Sequence, residues 1–91
     1  MKMLYRPPYI FAHRVYLSRD ERRDLASYRQ LATEQFGEGA ESRNAALHHA
    51  WILGFDTDAD LRHTLEKDYV GDFLGFRSRE DQILFYLKHV T

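Results

Sequence analysis

Residues 9–17, Tyr9-Ile10-Phe11-Ala12-His13-Arg14-Val15-Tyr16-Leu17, run straight into Ser18-Arg19-Asp20-Glu21. The first stretch is rich in aromatic and β-branched residues and reads as a strand. The second is an S-x-x-E capping box, in which the serine hydroxyl and the glutamate carboxylate satisfy backbone donors at a helix start. This junction constrains the fold more than any other feature. The strand turns directly into a helix, and a lone strand cannot satisfy its own backbone N–H and C=O groups, so it needs a partner from elsewhere. Period two sends His13, Val15 and Leu17 inward and Ala12, Arg14 and Tyr16 outward.

The helix that follows spans residues 19–36, with Leu25, Tyr28, Leu31, Ala32 and Phe36 at helical spacing and Gly37 and Gly39 as stop and turn. A second helix is expected from Ser42 through Leu53, ended by Gly54, with Leu47, Ala50 and Trp51 on its inner face. Thr57-Asp58-Ala59-Asp60 suits the cap of a short helix bearing Leu61 and Leu65. Ser78-Arg79-Glu80-Asp81 suits the cap of another, bearing Ile83, Leu84, Leu87 and Val90. The short apolar run 83–87 also fits a buried strand. Residues 69–76 read as an aromatic connector interrupted by Gly71 and Gly75.

One strand, a capped helix, a glycine turn and an alanine-rich helix with a polar start form a particular order. Through Arg14-Val15-Tyr16-Leu17-Ser18, the helix bearing Leu25, Tyr28 and Leu31, the Gly37/Gly39 turn and Ser42-Arg43-Asn44-Ala45-Ala46-Leu47, residues 10–55 resemble the ribbon-helix-helix DNA-binding family. The resemblance implies a mainly α fold. Two chains would pair their N-terminal strands across a two-fold, and residues 1–55 would form the DNA-binding and dimerisation region. Residues 56–91 would add a helical C-terminal extension to the same compact unit. It further implies that the paired ribbon enters the major groove of double-stranded DNA, with Ala12, Arg14 and Tyr16 reading base edges. Ser42, Arg43 and Asn44, at the start of the second helix, would meet phosphate.

Charge divides in keeping with that expectation. Residues 1–36 carry +3 and residues 56–91 carry -3 within a chain whose net charge is -1. The expected role is a homodimeric, sequence-specific DNA-binding protein, a repressor or DNA-complex accessory factor of prokaryotic, plasmid or phage type. The alternative is a protein-binding module without a nucleic-acid role, such as an inhibitor of a host protein or an antitoxin-like binder. Tyr69, Phe73 and Phe76 of the acidic C-terminal extension would then contact the partner. For that aromatic segment taken alone, ordinary core is the commoner outcome in a short chain.

Other chemistries have little sequence support. The chain has no cysteine, which removes disulfides, thiolate metal sites and a thiol nucleophile, and fits a cytoplasmic location. Adjacent His48 and His49 diverge on a helix, and Asp56, Asp58 and Asp60 lack the glycine and the terminal glutamate of a calcium loop, Lys67 standing at its twelfth position. No metal or other cofactor is expected. No nucleophile elbow or phosphate-cradling loop occurs, so no enzymatic activity is expected. No apolar run approaches the length of a membrane span.

Overall fold

The computed structural model describes residues 1–41, 48–57 and 68–90. Strands β1 (Lys2–Tyr5), β2 (His13–Ser18), β3 (Trp51–Phe55) and β4 (Tyr69–Phe76) form one antiparallel sheet in the order β1-β2-β4-β3. A 3-10 turn over Glu21–Asp24 leads into helix α1 (Leu25–Phe36), and helix α2 (Arg79–His89) follows β4. The chain is therefore an α+β fold, which overturns the mainly α ribbon-helix-helix architecture. Within this chain β2 is an inner strand with β1 on one side and β4 on the other. The ribbon requires β2 to have a free edge for a second chain, and here both of its edges are already paired.

Two further expectations change with it. Residues 51–53, read as the end of a helix stopped by Gly54, belong to strand β3, and residues 69–76, read as a connector, form β4 between β2 and β3. A short apolar segment takes its state from where its backbone finds partners, and these two segments find each other in a register that pairs Trp51 with Phe76 and Leu53 with Leu74. The C-terminal third thus supplies a central strand as well as a helix. The expected short helix bearing Leu61 and Leu65 lies outside the described residues, as do Ser42, Arg43 and Asn44.

Other local signals act as read. Ser18 Oγ accepts from the Glu21 amide at 3.2 Å while Glu21 Oε1 accepts from the Ser18 amide at 2.8 Å, the reciprocal pair of a capping box. Gly37 ends α1 at φ +85°, its amide donating to Thr33 O at 2.9 Å. Ser78 caps α2 by accepting from the Asp81 amide at 3.1 Å. Of the two readings of residues 83–87, helix holds.

One sheet face carries the main core: Val15, Trp51, Leu74 and Phe76 pack with Ala32 of α1 and Phe85 of α2. Trp51 Nε1 donates to Gly37 O at 2.8 Å, which ties the end of α1 to β3. Buried Gln82 donates from Nε2 to Leu4 O at 3.2 Å and to Arg14 O at 2.8 Å, fastening α2 over the β1–β2 pair. The helix therefore buries Gln82 and Phe85, and Leu84, Leu87 and Val90 stay exposed.

Candidate functional site

The second sheet face holds the residues expected to face DNA. Alternation along β2 does separate Val15 from Arg14 and Tyr16, but both faces are covered: Arg14 is 5% exposed, Ala12 6% and Tyr16 0%. The loop 6–12 between β1 and β2 folds onto this face, closed by bonds from the Arg6 amide to Ala12 O at 2.8 Å and from the Tyr9 amide to Arg6 O at 3.3 Å. Its Pro7–Pro8 peptide is cis. Gly75 allows the close approach, since a Cβ there would lie 2.9 Å from the Cβ of Phe11. Phe11 is consequently buried beside Ala40 and Ile52.

A buried charge cluster underlies the loop. Arg14 Nη1 donates to Asp56 Oδ2 at 2.8 Å and to Tyr16 Oη at 3.1 Å, and Nε donates to Phe11 O at 3.3 Å. Tyr16 Oη in turn donates to Asp56 Oδ2 at 3.1 Å. The guanidinium carbon sits 4.0 Å from the centre of the Phe73 ring and 4.9 Å from that of Tyr9, so the cation lies between aromatic faces and a carboxylate. Arg6 stands 4.0 Å from the same Asp56 oxygen. Burial, the largest influence, raises the Tyr16 hydroxyl above its ordinary 10.0; the bond and charge of Arg14 pull it down, and Asp56 pushes it up. Tyr16 therefore keeps its proton at neutral pH and can donate it to Asp56.

Gly71 positions this carboxylate. Its φ of +123° is a conformation that side chains rarely adopt, and a Cβ at this position would run into the carbonyl oxygen of Asp56. In return the Asp56 amide donates to Gly71 O at 2.9 Å. Asp56 thus leaves β3 on a fixed path, toward Arg14.

Above the cluster opens a pocket of about 380 Å³. Its wall includes Tyr9, Ile10, Phe11, Arg14, Phe55 and Phe73. Phe11, Arg14 and Phe73 are buried, whereas Tyr9, Ile10 and Phe55 stand exposed at the mouth. At the sheet surface Gly54 leaves space for the Phe73 ring, whose Cζ would be 2.5 Å from a Cβ there. The volume falls at the small end of ligand-sized cavities, with an apolar lining and one charged group at the base.

Of the residues expected at a site, Arg14 and Phe73 meet in this pocket and Tyr16 lies in the charge cluster beneath it. Phe76 is buried in the main core, on the other face, and Tyr69 packs beside Tyr16 and Phe73. The sequence reading missed Asp56, which it weighed as a calcium ligand, and the loop residues Tyr9, Ile10 and Phe11, which it merged into the strand. The alternation of Arg14 and Tyr16 with apolar neighbours was the available signal, because two hydrogen-bonding side chains on one strand face call for a common acceptor once that face is covered.

Among the described residues, no three histidine or acidic side chains form a group able to hold a metal ion, and no helix is long and apolar enough to cross a membrane. His13 instead stacks on Tyr5 with ring centres 4.9 Å apart, and His89 lies against Phe85 with 4.6 Å between centres. Comparison with protein-family models, with curated proteins and with solved structures finds no match to this chain.

Proposed function

We propose that this chain is a protein-binding module whose pocket receives an apolar or aromatic side chain from a partner. The observation that carries the reading is the mouth of the pocket, where Tyr9, Ile10 and Phe55 stand exposed around a cavity already lined by Phe11 and Phe73. Large apolar side chains grouped at a concave surface are the usual setting for an anchor residue and its rim. The Asp56 carboxylate is held by Arg14 and Tyr16, an arrangement suited to fixing shape rather than to moving protons during a reaction. DNA reading through a β-ribbon has no corresponding support, since it needs Arg14 and Tyr16 at the surface.

The test is selection of displayed peptides on the folded protein, repeated on the double variant Ile10→Ser, Phe55→Ser. Enriched peptides should share one aromatic or large aliphatic anchor and should lose at least about tenfold in affinity, about 1.4 kcal/mol, on the double variant. Peptides that bind both proteins equally, or a failure of any peptide to enrich, would remove this reading.

A further inference from the structure

The two outer edges of the sheet are treated differently. The edge of β3 is occupied by the segment after α1: the Ala40 amide donates to Trp51 O at 2.8 Å, and Ala40 forms a bridge with Ile52. Among the described residues nothing pairs with the outer edge of β1. Antiparallel strands direct the N–H and C=O of alternate residues toward the same neighbour. The Arg6 amide reaches Ala12 O on the β2 side, so Leu4 and Lys2 also point toward β2, while Met3 and Tyr5 present their main-chain groups outward.

The side chains at this edge are apolar and exposed. Met3 and Tyr5 lie on the α2 side of the sheet, Met3 being paired with core residue Val15. Together with His13 and Ile83 they line an open groove of about 400 Å³ between β1 and α2. Tyr5 is 63% exposed, and on α2 Leu87, one turn beyond Ile83, is 67% exposed. An edge strand and an adjoining apolar helix face left open together are normally covered or blunted in a small protein.

We propose that a second copy of this chain covers this edge, β1 pairing antiparallel with β1 across a two-fold to give a continuous eight-stranded sheet. The edge is complementary to itself. With Leu4 opposite Leu4, Met3 falls opposite Tyr5, so all four outward N–H groups of the two strands meet outward C=O groups. The same symmetry brings the two α2 helices to one side of the joint sheet, where Ile83 and Leu87 of each copy can cover those of the other. Lys2 falls opposite Arg6 of the second copy, a repulsion softened by Asp56 at 4.0 Å from Arg6. This dimer replaces the one expected through β2, and it is independent of the pocket.

Sedimentation of the purified chain should give twice the monomer mass. The chain has no cysteine, so Leu4→Cys offers a clean probe: a non-hydrogen-bonded antiparallel pair has Cα atoms about 4.5 Å apart, within disulfide reach, and mild oxidation should yield a covalent dimer. Tyr5→Lys, which gives up the stack on His13 but no main-chain bond between β1 and β2, should weaken association at least about tenfold with an unchanged circular dichroism spectrum. A chain that stays monomeric at about 1 mM overturns the proposal. So does a dimer whose association is unmoved by Tyr5→Lys.

Discussion

Asp56 neutralises a guanidinium that the sheet, the loop 6–12 and two aromatic rings keep from water. Removing one member of such a pair leaves a buried charge uncompensated, which costs far more than the bonded pair contributes. Asp56→Ala should therefore lower stability by about 3–5 kcal/mol in urea denaturation. Tyr16→Phe, which deletes hydrogen bonds from the cluster while Arg14 keeps its carboxylate, should cost about 1 kcal/mol. Among the described residues, Glu21 and His89 have lowered pKa values that make stability fall in acid. Burial works to raise the Glu21 carboxyl, but bonds from the Met1 amino group and from Ser18 outweigh it and hold it below its ordinary 4.5. Burial, followed by the charge of Lys88, lowers His89 below 6.5. Both groups have a lower pKa folded than unfolded. Their contributions are present above the unfolded values and are lost as pH falls, that of His89 from 6.5 downward and that of Glu21 below 4.5. Glu21→Gln should lower stability above pH 4.5 and so flatten the acid limb of a stability profile, leaving the slope at higher pH unchanged.

At the scale of elements, caps and turns were legible because they are local. Caps need only the identities of residues a turn apart, and the Ser18–Glu21 capping box and the Ser78 cap act as their spacing indicates. Ser78→Ala should destabilise α2 by about 0.5–2 kcal/mol. Strands β3 and β4 were not legible, since Trp51-Ile52-Leu53-Gly54-Phe55 has no period of its own and becomes a strand by pairing with residues some twenty positions later. Gly71 looked like an interruption within residues 69–76, yet it lets Asp56 approach the centre of the sheet. Gly71→Ala should accordingly cost more than about 1 kcal/mol, from positive φ together with the collision at Asp56, and thermal denaturation would register the loss.

At the scale of the molecule, the two sheet faces have separate tasks: one packs against both helices, and the other carries the charge cluster and the pocket. Substitutions at the pocket mouth should therefore be nearly silent in stability, within about 0.5 kcal/mol for Ile10→Ser, because that side chain is mostly in water. The radius of gyration of 12.0 Å is that of a single compact chain of this length. Pairing through β1 should raise the value seen by small-angle scattering to about 16 Å at high concentration, where a monomer would show no change.

By itself the sequence determined the caps at Ser18 and Ser78 and the stop at Gly37, that Val15 and Arg14 lie on opposite faces of β2, and that this strand required partners. Those properties follow from side chains acting on a backbone a few residues away. Tertiary structure decided who the partners are. Strands β1 and β4, from the two ends of the chain, occupy both edges of β2, and this turns Arg14 and Tyr16 from the exposed reading residues of a ribbon into buried ligands of Asp56. The physical reason is that strand pairing gains its hydrogen bonds and buried surface from distant segments, and no local pattern along the chain records which segment will arrive.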